Sequence, residues 1–248
     1  MLFRSVGCGN CVKVCPTGAR KKSGGFPDEK LCIRCGACAE ICSAGALEKI
    51  GTEWEAEELA QYLERDKIYF TNTGGGVTLS GGDPLFQWQF SLELIRRLKA
   101  GGIHTAIETS GFASREVFDI VTEEVDFVIM DLKHHDSSVH RRVTGVENAC
   151  ILENFHRLAA SGKNCIIRTP VIPGVNDSKE DICRIAEIAA KAKGLLYYEL
   201  MPYHPLGTGK LESLGMKGNA CNRSLVAPTA EFMEELRAAA HTAGVSVK

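Results

Sequence analysis

The sequence predicts an α/β fold: a parallel sheet, open or rolled into a barrel, behind a small cysteine-rich leading segment. Three observations predict it. Short apolar strands alternate with amphipathic helices from about residue 50 onward. Five of those strands run straight into polar or small residues. Seven of the eleven cysteines fall within residues 1–42. A length of 248 residues suits one sizeable domain plus a small one, divided at residues 1–50 and 51–248. With 44% hydrophobic and 24% charged residues, the composition is that of an ordinary globular chain. A formal charge of −2 makes no case for nucleic acid as a partner. No apolar run approaches the length that spans a bilayer, so no membrane partner is expected.

In the leading segment, Cys32, Cys35, Cys38 and Cys42 complete a C-x2-C-x2-C-x3-C run. Cys8, Cys11 and Cys15 make the same run without its first member. A shift of 27 residues places Cys8, Gly9, Cys11, Cys15, Gly18 and Ala19 on Cys35, Gly36, Cys38, Cys42, Gly45 and Ala46, and Ser5 on Cys32. Thiolates at this spacing wrap three corners of a cubane, and the fourth cysteine, followed by Pro16 in the first run, reaches the other cluster. That crossover assigns Cys32, Cys35, Cys38 and Cys15 to one [4Fe–4S] cluster. It assigns Cys8, Cys11 and Cys42 to the other, with Ser5 in the fourth place. Serine ligates iron only as a poor alkoxide, so this second site is incomplete. Zinc would use two separate CxxC pairs, which the crowded gaps disfavour. Disulfides need an oxidising compartment, and no charged-then-apolar signal segment opens the chain. Cys150, Cys165, Cys183 and Cys221 are scattered and read as structural. Residues 21–30 read as a surface loop.

After residue 50, Thr52 with Glu55 predicts a capping box, and Trp54, Leu59, Tyr62 and Leu63 a helical stripe. Strands are expected at Val77–Ser80, Ile103–Ile107, Val125–Met130, Cys165–Arg168, Leu195–Leu200 and Gly244–Val247. Helices are expected near 88–100, 114–123, 148–160, 178–192 and 230–242. Gly101-Gly102, Gly162 and Gly194 are expected to stop three of them.

The strand ends carry the chemistry: Ser80-Gly81-Gly82-Asp83-Pro84, Glu108-Thr109-Ser110-Gly111, Asp131-Leu132-Lys133, Arg168-Thr169 and Met201-Pro202-Tyr203-His204. In a β/α barrel the carboxyl ends of the strands form one face, where chemistry sits. Singly, Glu108 reads equally as a loop acid, Arg168 as a structural ion pair and His204 as a turn histidine. Together they favour a ligand with both positive and negative groups. Gly74-Gly75-Gly76 and Gly81-Gly82 make no GxGxxG fingerprint, and Gly207-Thr208-Gly209-Lys210 is no phosphate loop. Gly81-Gly82 is a tight turn or a place where backbone approaches a small cofactor closely.

A paired set of cluster motifs ahead of GGGVTLSGGDP, ETSGF, DLKHHD, RTPVIPGVND and MPYHPLG resembles the glycyl-radical enzyme activating enzymes of the radical S-adenosylmethionine (SAM) superfamily. The resemblance implies a partial (β/α) radical SAM barrel after a ferredoxin-like iron–sulfur domain. It implies [4Fe–4S] clusters and SAM as cofactors, reductive cleavage of SAM, and removal of a hydrogen from a backbone glycine of a partner glycyl-radical enzyme. It also implies a flavodoxin or ferredoxin as reductant, in an anaerobic cytoplasm. Residue by residue, Gly81, Gly82 and Asp83 match a GGE segment that holds the methionine amino group. Glu108 and Thr109 match an acid–Thr pair near the methionyl carboxylate. Asp131, Leu132 and Lys133 match a D-x-K segment beside the cofactor, Arg168 a pocket arginine, and His204 the histidine of a PYH segment. Two departures stand out. Asp83 replaces the family's Glu, and the C-x3-C-x2-C loop that holds the SAM cluster is missing, together with the strand before it. The expectation is an N-terminal truncation, with Leu2-Phe3-Arg4-Ser5 matching a translated sequencing adapter. Such a chain would bind at most the auxiliary clusters and would not cleave SAM. The alternatives are an electron-transfer module fused to a barrel, or a non-catalytic remnant.

Overall fold

The structure, a computed structural model, describes residues 5–205 and 225–248. Gly207–Lys210 and Cys221 lie outside these residues. The described residues divide into two compact units, 5–53 and 54–205 with 225–248.

In the small unit the 27-residue repeat is a repeat of backbone conformation. Helices α1 (Asn10–Lys13) and α2 (Ala37–Glu40) are single turns at equivalent positions. Left-handed glycines precede them, Gly9 at φ 73° and Gly36 at φ 83°, and Val14 and Ile41 follow with nearly equal angles. Gly18 pairs with Gly45 in the left-handed region, and Gly7 pairs with Arg34. Arg34, at φ 55°, is the only non-glycine there among the described residues. A side chain in that conformation costs roughly 1–2 kcal/mol, so the second half keeps its turn against a local penalty.

The large unit is a parallel five-stranded sheet in the order β1 (Gly76–Leu79), β2 (His104–Thr109), β3 (Phe127–Asp131), β4 (Cys165–Val171), β5 (Leu195–Pro202). Strands that follow one another in sequence also lie side by side. With crossovers of one hand, that order puts every connecting helix on the same face. Helices α5 (Trp88–Ala100), α6 (Arg115–Glu124), α8 (Ala149–Ser161), α9 (Lys179–Ala189) and α10 (Ala230–His241) bury their apolar stripes there. They meet Ile107, Val128, Met130, Cys165, Ile167, Tyr198 and Leu200 of the strands. Phe118 of α6 and Phe155 of α8 are fully buried in this core, where truncation of such a ring typically costs about 3–5 kcal/mol. Side chains alternate along a strand, so Glu108, Asp131, Arg168 and Glu199 lie on the opposite face, away from these helices.

Several boundaries differ from the sequence expectation. β2 runs on through Glu108 and Thr109, and β4 continues past Arg168 to Val171. Val125, expected in a strand, instead caps α6. The segment expected at Gly244–Val247 adds to β5 by a single bridge, Val247 to Tyr198. The capping box does not form: α3 (Ala56–Glu64) starts after Glu55 with no side-chain cap. Its Leu59 and Leu63 still pack on a second apolar cluster beneath α5. Gly194 stops no helix, because α9 ends at Ala189. A Cβ at Gly194 would lie 2.1 Å from the carbonyl oxygen of Lys163, so glycine is needed there for close backbone approach before β5. Helices α4 (Lys67–Thr73) and α7 (Ser137–Thr144) were not expected. Asp136 starts α7 by accepting from the N–H groups of Ser138 and Val139.

Candidate functional site

A chain of hydrogen bonds crosses the face away from the helices at the carboxyl ends of the strands. Ser80 Oγ donates to Glu108 Oε2 at 2.9 Å. Arg168 Nη1 donates to Glu108 Oε1 at 3.0 Å, and Arg168 Nε to Glu199 Oε2 at 2.5 Å. Strand register sets Asp131 beside Arg168 on one side and Glu199 on the other. Burial works against the Arg168 charge, but the hydrogen bond to Glu199 and the charges of Glu199, Glu108 and Asp131 outweigh it, so the guanidinium is held protonated. Asp131 Oδ2 accepts from Lys133 Nζ at 3.0 Å. Among the described residues, Asp131 Oδ1 is buried with no hydrogen-bond partner. Among these residues, three carboxylates face two cations, and one negative charge is in excess.

Asp83 is committed elsewhere. Its carboxylate accepts from Thr109 Oγ1 at 2.9 and 3.0 Å, Ser110 N at 2.9 Å, Ser110 Oγ at 2.8 Å and Leu85 N at 3.0 Å. Four hydrogens fill the roughly four lone-pair sites of a carboxylate. Asp83 thus pins the turn after β1 to the end of β2, and within that turn Gly81 adopts φ 118°. The shorter acid fits this internal role.

The D-x-K segment is held from the buried side. Four successive carbonyls accept from side chains beneath them. Leu132 O accepts from Thr169 Oγ1 at 2.6 Å and Lys133 O from Asn176 Nδ2 at 2.8 Å. His134 O and His135 O both accept from Asn148 Nδ2, at 2.9 and 3.1 Å. Tyr198 OH backs Thr169 at 2.8 Å. Asn148, Thr169, Asn176 and Tyr198 are all buried. His204 is exposed just past β5 and lies outside the hydrogen-bonded chain.

His134, His135 and Asp181 bring three possible ligand atoms within 4.8 Å of one another. His134 Nδ1 accepts from Asp136 N at 2.9 Å, which puts the proton of a neutral ring on Nε2 and leaves no lone pair for a metal there. The trio reads as a link between the loop after β3 and the start of α9, with His135 Nε2 and Asp181 Oδ1 at 2.8 Å.

In the small unit, the Cys15 thiol is pulled below its usual pKa chiefly by the N–H of Arg20, helped by Thr17 and Ala19 and opposed by burial. The Cys42 thiol is lowered chiefly by the N–H of Ala46, helped by Leu47, Ala44 and Gly45 and likewise opposed by burial. Residues 15, 17, 19 and 20 become 42, 44, 46 and 47 under the repeat. Backbone donors around a sulfur favour thiolate, the form that ligates iron.

Sequence reasoning missed Glu199, Asn148 and Asn176, and named Ser80 and Ser110 at the strand ends without giving either a role. Glu199 carried a signal, as a lone acid in the apolar run Leu195–Leu200 in phase with Arg168. The two asparagines look like ordinary loop residues.

The chain matches the radical SAM superfamily over residues 34–186 and a 4Fe-4S binding domain over residues 6–21. It is 40% identical to the choline trimethylamine-lyase activating enzyme of Oleidesulfovibrio alaskensis over 218 residues, 85% of this chain and 70% of that one. It is 38% identical to the benzylsuccinate synthase activating enzyme of Thauera aromatica, across 98% of this chain and 76% of that one. The crystal structure of a domain of pyruvate-formate lyase-activating enzyme from Bacteroides vulgatus superposes with a TM-score of 0.58 at 29% identity, covering 70% of this chain and 98% of that one. The chain belongs to the radical SAM superfamily, in its branch of glycyl-radical enzyme activating enzymes.

Proposed function

We propose that this chain provides the SAM-binding face and the accessory iron–sulfur domain of an enzyme that installs a glycyl radical on a partner protein. Domain assignment follows the same reading: residues 1–50 hold clusters and residues 51–248 hold SAM. The single observation that carries it is Asp131 Oδ1, a buried acceptor without a donor beside a row of charges with one negative charge in excess. SAM carries a sulfonium, an ammonium and a carboxylate, one net positive charge in all, and the residues fit it. When bound, SAM and a reduced cluster supply one-electron cleavage of the sulfonium and hydrogen abstraction from the partner's glycine.

This chain's own residues bind and orient. Gly81 and Gly82 bring backbone close to the ligand, while Asp83 fixes their turn through Thr109 and Ser110. Asp131 accepts from a ligand donor. Lys133 and Arg168 answer the ligand carboxylate, and Glu108 and Glu199 hold Arg168 in place. Leu132 carries the backbone between the acid and the lysine, and His204 approaches from the end of β5. Cys8, Cys11, Cys15, Cys32, Cys35, Cys38 and Cys42 hold the accessory clusters, and the paired N–H surroundings of Cys15 and Cys42 suit thiolate ligands. Residues 1–248 contain no C-x3-C-x2-C, so by themselves they bind SAM without cleaving it. The partner is a glycyl-radical enzyme and the reductant a flavodoxin or ferredoxin, in an anaerobic cytoplasm. Among the described residues no helix is long and apolar enough to cross a membrane.

The test is equilibrium dialysis of SAM against the anaerobically reconstituted chain, with dithionite and assay for 5′-deoxyadenosine alongside. Saturable SAM binding, lost at least tenfold in Asp131→Asn, and no 5′-deoxyadenosine are expected. Absence of SAM binding overturns the site, and turnover by this chain overturns the reading that it binds SAM without cleaving it.

A further inference from the structure

Ser5 is the one ligand position of the repeat not filled by sulfur. This inference rests on the cluster part of the reading above and not on its SAM part. The backbone after Ser5 matches that after Cys32 at three left-handed positions: Gly7 at φ 70° against Arg34 at 55°, Gly9 at 73° against Gly36 at 83°, Gly18 at 67° against Gly45 at 59°. The single helical turns coincide as well. Ser5 therefore occupies the structural place of Cys32, and its oxygen is no misaligned bystander from a neighbouring loop. It already accepts from Gly7 N at 3.4 Å. A serine hydroxyl stays protonated near neutral pH, whereas the ligand form required of a cluster residue is the anion. Ser5 and Cys8 are both exposed.

We propose that the cluster held by Cys8, Cys11 and Cys42 has one iron without a protein thiolate, at the place of Ser5, and that this iron takes a small exchangeable donor such as water, hydroxide or an added thiol. The cluster on Cys15, Cys32, Cys35 and Cys38 is closed by four thiolates. The two clusters thus differ in kind. One has every iron capped by protein sulfur. The other offers a coordination position to solvent, and it loses that iron readily. On mild oxidation [4Fe–4S]2+ gives [3Fe–4S]+, Fe2+ and one electron, which ferricyanide accepts.

The experiment reconstitutes the full chain anaerobically, adds substoichiometric ferricyanide, and reads released iron and the electron paramagnetic resonance of the three-iron cluster. The native chain is expected to release about one iron per chain and show that resonance. Ser5→Cys should keep its iron under the same oxidant, and Ser5→Ala should match the native chain. Equal release from Ser5→Cys overturns the inference, as does retention of all iron by the native chain. A changed spectrum in Ser5→Ala overturns it too, because the hydroxyl would then be the ligand. Acid-labile sulfide separates the layers. Sulfide without labile iron sinks this inference alone, and no sulfide sinks the cluster reading beneath it. Neither result touches SAM binding at the sheet.

Discussion

Arg168 on β4 and Glu199 on β5 are strand-pair partners joined by a 2.5 Å hydrogen bond, and Glu199 shares the arginine with Glu108. Removing the acid leaves Arg168 tied only to Glu108. A charge-assisted hydrogen bond in a partly buried site contributes roughly 1.5–3 kcal/mol. Glu199→Gln is expected to weaken SAM binding by about tenfold in dialysis while lowering the unfolding free energy by no more than about 1–2 kcal/mol. Unaltered affinity would separate Glu199 from the ligand face.

Asn176 donates to Lys133 O and to Pro170 O at 2.9 Å, and its own oxygen accepts from Ile172 N at 2.7 Å. It is 1% exposed, and truncation takes the side-chain partner from three part-buried backbone groups. Asn176→Ala is expected to cost about 2–4 kcal/mol in urea unfolding, from losses of roughly 1–3 kcal/mol per orphaned group with partial relaxation. Hydrogen exchange should quicken in residues 132–135 before it does in the core strands. Uniform acceleration throughout the sheet would argue that Asn176 supports the fold generally and not the D-x-K segment.

Asp83→Asn replaces an acceptor of four hydrogens by a group that brings donors of its own to Ser110 N and Ser110 Oγ. The expected outcome is a loss of about 1–3 kcal/mol of stability with looser SAM binding. Asp83→Glu should do no better, since the carboxylate now serves its own loop at short range. Full stability and tighter binding in Asp83→Glu would restore the longer acid as the direct holder of the ligand's amine.

His134 is buried, and burial, then the charge of His135, push its pKa below the usual 6.5; Asp181 and Asp136 pull weakly the other way. The unfolded chain takes up a proton that the folded state resists. Stability is therefore full above pH 6.5 and falls as pH drops from there. Asp181, held low by Ser178 and His135 despite burial, adds a second loss only near and below its usual 3.8. His134→Gln should flatten the urea midpoint between about pH 6.5 and 5 and leave the lower decline in place. An unchanged slope in that window would exclude His134.

What the amino-acid order revealed divides by range. Cysteine spacing is local chemistry, and a 27-residue repeat is visible without any structure. Strand cores such as Cys165–Arg168 and Leu195–Leu200 are legible because β-branched and aromatic runs bury themselves. Their ends are not. Pro170 sits inside β4 although proline gives no ladder hydrogen. The expected box at Thr52 and Glu55 fails because Glu55 itself is the cap position. Glu199 becomes meaningful only once register lays it beside Arg168. Asn148 and Asn176 act across long separations on carbonyls that have no sequence signature. Asp83 was legible as a strand-end acid, yet its four donors come from residues 85, 109 and 110.

The ladder of donors beneath residues 132–135 has a consequence for inheritance. Thr169, Asn148, Asn176 and Tyr198 reach the strap from the helix-covered side, while Asp131, Lys133, Arg168 and Glu199 work from the other. Scaffold and proposed ligand face are thus encoded by separate sets of positions. The working surface can drift toward a new target, or lose its chemistry altogether, while the strap stays clamped in its old shape.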